Sequence, residues 1–397
     1  MGHSAAWRAA LSAGSAILVL LAAPGAASAW KIQKVINFHA NGAAGMLEQP
    51  GPLEVDSAGA VLVLSTEGAV VHRRDPDGSV EQVLPENPGE HAFDLTVDGA
   101  DTVYVPVDDV VHRVTSGGTV DSLSIGGHPL SDLQGHGTGY LLATVVETGT
   151  NEPVLFERSP GGTITELLRA SDLPGSWLDP ALVHRDASGN VYLTLFTTDK
   201  VVRITPGGAV TEIIDAAGDG AGNPLYGPAD LGFDDAGNVY VAGGLSHNVF
   251  RVEPGGSVTE IIDETGDGQG NGLGFAGSLA VAPDGEVFVR GGWSENVFHI
   301  ATDGRVTELA DETVIDSPQD IAFDPVLRAL YVSGFDPDWE PLEGGSPDSV
   351  YRILDTRNAM PALSPPLLWC LALLLLAVGY RLGARHISSP ARRSPSA

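Results

Sequence analysis

The segment Pro228–Asp263, PADLGFDDAGNVYVAGGLSHNVFRVEPGGSVTEIID, recurs in near copies along the chain, and a repeat of this kind permits few architectures. It contains four short runs rich in Val, Ile, Phe and Tyr, at 230–233, 238–241, 248–252 and 258–262, each bounded by Gly, Pro, Asn or Asp. Apolar runs of that length between turn residues read as strands. Asp235-Ala236-Gly237-Asn238 supplies a tight hairpin with glycine available for positive φ, and Pro254-Gly255-Gly256 supplies a second. A unit of four antiparallel strands repeated in series describes the blade of a β-propeller.

The number of copies sets the ring. Aligned on the second strand, the central residues are Leu62, Tyr104, Leu142, Tyr192, Tyr240, Phe288 and Tyr331. The third strand recurs as Val71-His72-Arg73, Val111-His112-Arg113, Phe156-Glu157-Arg158, Val202-Arg203-Ile204, Phe250-Arg251-Val252, Phe298-His299-Ile300 and Tyr351-Arg352-Ile353. That makes seven units, with His72, His112 and His299 at equivalent positions. A fourth strand follows only six of them, starting at Val80, Val120, Ile164, Val210, Val258 and Val306. The seventh unit ends at Asp355 without one, whereas Lys31–Asn37 has strand character and no blade of its own. Its expected place is the open edge of the last blade, where it closes the ring and masks an edge prone to aggregation. The expectation is an all-β, seven-bladed β-propeller of four-stranded antiparallel blades over residues 30–358, closed by its N-terminal strand.

Residues 1–29 read as a secretory signal helix: Arg8 gives the positive start, Ala9 to Ala23 the apolar stretch, and Ala27-Ser28-Ala29 a small-residue cleavage site. A retained N-terminal anchor is the alternative. Export leads to an oxidising compartment, yet the only cysteine, Cys370, falls outside the propeller. The ring must be held by its own core, for which about 330 residues suffice. All 51 Asp and Glu but only sixteen of the 21 Lys and Arg lie in residues 30–358, a formal charge of −35 for the propeller. Such a surface repels nucleic acid and anionic membrane. It attracts divalent or organic cations, or serves only solubility.

Long connections fall at one end of the ring: Gly126–Ser131, Ser171–Pro180, Asp215–Ala229, Asp263–Gly277 and Phe335–Asp348. Long loops on a rigid frame are where binding concentrates, and Trp177, Tyr226, Trp293 and Trp339 would offer aromatic surface there. Two of these loops nearly repeat each other. Asp215, Asp219 and Asn223 in one, and Asp263, Asp267 and Asn271 in the other, stand four residues apart in Gly-rich sequence. Oxygen ligands so spaced suit calcium, and the same residues suit turns for backbone reasons. A second constellation comes from stacking the repeats: the innermost strands begin with Pro52, Asp94, Asp132, Leu182, Asp230, Ser278 and Asp320. Asp94, Asp132, Asp230 and Asp320 should converge near the mouth of the central channel and raise one another's pKa unless Ca2+, Mg2+ or a positively charged ligand sits between them. Alternatively each accepts hydrogen bonds from the amides of its own turn. No G-x-S-x-G elbow or H-E-x-x-H pair occurs. The candidates for a general base are the loop histidines His91, His128 and His247.

The unit GNVYVAGGLSHNVFRVEPGGSVTEII, preceded by GDGAGNPLYGPADLGFD, resembles NHL repeats, and Val202–Glu212, VRITPGGAVTE, is similar to a phrase of the streptogramin (virginiamycin B) lyase propellers. The likeness covers units four to six well and the others loosely. It implies a propeller, a fold whose relatives include protein-binding modules, lactonases and lyases; the lyases use histidine, glutamate and magnesium on the loop face. In residues 359–397, Met360-Pro361-Ala362-Leu363-Ser364 precedes the uncharged Leu367–Tyr380, then Arg381, Arg385, His386, Arg392 and Arg393. This is the layout of a transmembrane stop-transfer helix with a basic cytoplasmic end. It resembles the PEP and IPTL sorting tails that an exosortase-type enzyme recognises, with Pro365-Pro366 where that family has Trp-Gly. The expected protein is exported and anchored in the envelope or at the surface of a Gram-negative bacterium. It would bind an extracellular ligand or protein through its long-loop face, without nucleic acid. The alternative is a metal-dependent lyase or lactonase on the same face, with the four channel aspartates on the metal and a loop histidine as base.

Overall fold

The computed structural model describes residues 30–37, 49–85, 90–173, 182–338 and 348–355. The expected signal helix and the expected C-terminal transmembrane helix, with the Met360–Ser364 motif, and Trp177 and Trp339 fall outside the described residues. Among the described residues no helix is long and apolar enough to cross a membrane. The blades belong to the compact unit Met1–Leu354; of a second unit, Asp355–Ala397, only the first residue is described.

Seven four-stranded sheets form the blades, numbered 1 to 7 from Pro50. Blade 5 is Pro228–Phe233, Val239–Gly243, Asn248–Val252 and Val258–Ile262, so its third and fourth strands fall where the pattern puts them and its first starts two residues earlier. Blade 7 is Asp316–Asp324, Ala329–Phe335 and Asp348–Asp355, with Trp30–Asn37 hydrogen-bonded along its outer edge. The ring closes as expected, and the closing strand is tied to three blades. The Trp30 ring lies edge-on to Phe288 and His299 of blade 6, at 6.0 and 4.8 Å. Arg352 of blade 7 donates to Gln33 Oε1 at 2.8 Å, and Arg74 of blade 1 donates to the Val35 carbonyl at 3.2 Å.

The second strands are buried along their length, as in Val61–Ser65, Val103–Val107 and Val191–Leu195, because each is covered by the neighbouring blade on either side. One apolar cluster joins Leu62, Leu64 and Val71 of blade 1 to Val103 and Val105 of blade 2, and similar clusters bridge the following pairs. The tyrosines used for alignment have a second task. Tyr104, Tyr192 and Tyr240 donate their hydroxyls to Asp98, Asp186 and Asp234 at 3.0–3.1 Å, and the same carboxylates cap the first hairpin of each blade through the amides of Thr102, Asn190 and Asn238. Strand pairing corrects one alignment. His72 and His112 pair with Val63 and Val105, whereas His299 pairs with Phe288, where other blades set Arg73 against Leu62 and Arg251 against Tyr240. His299 is therefore one residue out of step with the other two, which places it on the opposite face of its sheet.

Candidate functional site

The seven innermost strands, Pro50–Val55, Thr96–Val97, Leu130–His136, Val183–Arg185, Pro228–Phe233, Ala276–Val281 and Asp316–Asp324, surround an axial channel of about 830 Å3. Asp94, Asp132, Asp230 and Asp320 all line it, as the stacked repeats foretell. They are not strand starts, however. Asp94 precedes its strand, and the others follow a break in register, at Leu130/Asp132, Pro228/Asp230 and Asp316/Asp320. In blades 3, 5 and 7 this irregularity in register re-aims the aspartate that follows it.

Each carboxylate staples its blade to the next. Asp94 accepts from the Leu133 amide of blade 3 at 3.0 Å, Asp132 from Val183 of blade 4 at 2.6 Å, Asp230 from Leu279 of blade 6 at 2.7 Å, and Asp320 from Leu53 of blade 1 at 2.8 Å, across the ring seam. Asp94 and Asp230 also accept from the amide of the following residue, so the local-turn reading holds in part. The pKa values of Asp94, Asp132 and Asp320 are raised, first by burial; repulsion between the aspartates adds to this and the amide bonds oppose it. Like-charge convergence, the cause expected from the sequence, is thus secondary to desolvation.

Four channel residues escape the motif search: Glu54, Gln134, His184 and Arg290. Alternation along a strand gives a signal for three of them. Two residues beyond the mouth positions stand Glu54, Thr96, Gln134, His184, Gly232, Ala280 and Ala322, polar on blades 1 to 4 and small on blades 5 to 7. Burial, with Asp320 and Asp94 nearby, pushes the Glu54 carboxyl up to about 8. His184 Nε2 lies 3.3 Å from Asp230 Oδ1, and its Nδ1 lies 3.4 Å from Gln134 Nε2. Arg290 comes from the second strand of blade 6, opposite Ser278, and donates to the Pro318 carbonyl at 3.0 Å. Burial lowers its pKa while Asp320 and Asp230 oppose the shift. Its guanidinium has room because residue 277 is glycine: a Cβ there would stand 2.4 Å from an arginine nitrogen.

The other sequence candidates lie apart from this ring. Asp219 accepts from the Ala221 amide and the Asn223 side chain at 2.8 Å each, and Asp267 repeats the arrangement with Gln269 and Asn271. Asp215 and Asp263 accept from the amides of Ala217 and Thr265, at 2.9 Å each. These are turn-forming bonds. Among the described residues no group of three or more His, Cys, Asp or Glu is brought together so as to hold a metal ion. His91 is exposed and its backbone forms an isolated β-bridge with that of Glu67; His128 Nδ1 accepts from the Thr148 amide at 3.1 Å; His247 Nδ1 accepts from the Phe275 amide at 2.7 Å. Trp293 and Tyr226 are 66% and 46% exposed.

No family model matches the chain, and a search of curated proteins finds no significant relative in sequence. Solved structures do resemble it. Virginiamycin B lyase from Staphylococcus aureus is 13% identical over 82% of this chain and 99% of that one, with a TM-score of 0.61. A streptogramin B lyase is 12% identical over 82% of this chain and 97% of its own, again at 0.61. YCF48 bound to a D1 peptide is 11% identical over 83% of this chain and 98% of its own, at 0.56. At these identities the chain shares with the virginiamycin B lyases the seven-bladed propeller fold, a frame that lyases and peptide-binding proteins both use.

Proposed function

We propose that this protein is a ligand-binding propeller of the bacterial envelope, whose ligand enters the axial channel from the end where the long loops cluster. The observation that carries this reading is the channel itself: about 830 Å3 bounded by polar groups that blade-to-blade bonds hold in place. Preorganised polar groups around a concavity of this size suit small-molecule recognition. The leader and the Met360–Ser364 tail support export, anchoring and processing by an exosortase-type enzyme. The fold relatives support both binding and lyase chemistry as precedents for the architecture.

His184 against Asp230 favours a second reading, a lyase or lactonase acting in the same channel with Ca2+ or Mg2+. A general base must come within hydrogen-bond reach of the proton it removes, and His184, unlike the three loop histidines, lines the cavity. The test is a calorimetric titration of the full-length chain with calcium and magnesium, followed by assay of streptogramin B and simple lactones with and without each ion. The binding reading expects no turnover. Turnover that disappears in His184→Gln would replace it with the enzymatic one.

A further inference from the structure

We infer that the channel and the aromatic lip beside it form one site for an organic cation, an ammonium group carrying a flat apolar body. The inference rests on the channel-binding reading above. Hydrogen-bond supply and demand is its first basis. Acceptors dominate the wall: Asp94, Asp132, Asp230, Asp320, Glu54 and Gln134. The opposing donors are already engaged: Arg290 with the Pro318 carbonyl, His184 Nε2 with Asp230, and Gln134 Nε2 with His184 Nδ1. Each stapling oxygen spends one lone pair on the frame and keeps another for a ligand. Gln134 Oε1 is buried with no partner, an unfavourable state that a donor in the channel relieves.

Size is the second basis. A bare divalent ion needs oxygens at about 2.0–2.6 Å, and no three acidic or histidine groups of the described residues gather for it. A charge-assisted N–H bond reaches about 2.7–2.9 Å, and an ammonium with its substituents uses the cavity volume that an ion leaves empty.

The lip is the third. The Phe275 ring lies over the backbone of Gly277 and Gly292, within 3.3 and 3.1 Å of where their Cβ atoms would be, and these two glycines also border the Arg290 guanidinium in the channel wall. Trp293, the most exposed aromatic ring described, continues from Phe275 at 5.3 Å and from His247 at 5.2 Å. Blade 5 sets Tyr226 and Leu245 in the corresponding loops, where the Leu245 amide donates to the Tyr226 carbonyl at 3.0 Å as that of Trp293 does to Gly274 at 2.8 Å. An exposed apolar rim beside an acidic concavity matches a cation with an apolar body, which the indole face stacks against while the ammonium sits in the channel.

The experiment titrates the full-length chain by calorimetry at about pH 9, where Glu54, carried up to about 8, is ionised, with phenethylammonium chloride, with the neutral phenethyl alcohol, and with calcium and magnesium chlorides. Trp293→Ala and Glu54→Gln serve as variants because both leave the blade staples intact. Saturable binding of the amine is expected, weaker by about tenfold in either variant, weaker at high salt, and absent for the alcohol. Equal binding of the alcohol, or no saturation by the amine, overturns the cation assignment. A divalent ion that binds instead, and is lost in Asp230→Asn, also overturns it while leaving the channel as the site. Amine binding untouched by both variants places the ligand elsewhere and overturns this inference and the channel reading together.

Discussion

Replacing Glu54 by Gln should stabilise the propeller, increasingly as pH rises from about 4.5 to about 8. The Glu54 carboxyl is carried from 4.5 to about 8 by burial and by Asp320 and Asp94 on the flanking blades. Between those pH values the folded protein holds a proton that the unfolded chain has released, so stability falls as pH rises through the window. At about 1.4 kcal/mol per pKa unit the full displacement sets an upper bound of about 5 kcal/mol. Part of the side chain remains open to channel water, and screening there reduces the expected difference to about 2–3 kcal/mol. Urea unfolding of both proteins, followed by circular dichroism, measures it. The two curves should coincide near pH 4 and separate progressively to about pH 9, with the variant the more stable. Asp94, Asp132 and Asp320 titrate in the same direction and are present in both proteins, so the difference reads Glu54 together with its coupling to Asp320 and Asp94. A constant offset across the range, or a less stable variant at high pH, would refute the argument that burial of an ionisable Glu54 opposes folding.

Other consequences follow from single contacts. Asp320→Ala removes the acceptor for the Leu53 amide at the seam and for Ser278 Oγ, and should lower stability by about 1–3 kcal/mol in urea unfolding near pH 5; Asp320→Asn, which keeps one acceptor oxygen, should lower it less. Gly218→Ala places a Cβ 1.9 Å from the Asn223 carbonyl at a φ of +60°, whereas Gly220→Ala, at +70°, meets nothing within 4 Å. The first should cost more than about 2 kcal/mol and the second about 1 kcal/mol, and thermal melts that rank them the other way would argue against the loop geometry. Tyr240→Phe deletes the 3.0 Å bond to Asp234 and should cost about 1 kcal/mol with no change in the ring. Trp293→Ala should leave the melting temperature unchanged, since so exposed a ring contributes little to the core.

The repeat by itself determined the number of blades, the strands within each and the partner of the orphan N-terminal strand. Alternating apolar runs and turn residues are local properties, and a unit that cannot bury its faces alone must stack. The four channel aspartates were legible too, because equivalent positions in a closed ring converge whatever the loops do. Tertiary structure decided what those aspartates bond. The staple from Asp230 to Leu279 or from Asp320 to Leu53 joins residues 49 and 267 positions apart, and no local pattern encodes such a pair. It also decided the lining. Arg290 reaches the axis from a second strand only because Gly277 leaves space, and Glu54, His184 and Gln134 meet the aspartates only when neighbouring blades are brought side by side. In the Asp219 and Asp267 loops the residue types alone left both calcium and turn formation open. There the folded backbone presents its own amides to the carboxylates, and hydrogen-bond geometry of that kind exists only once the chain has turned.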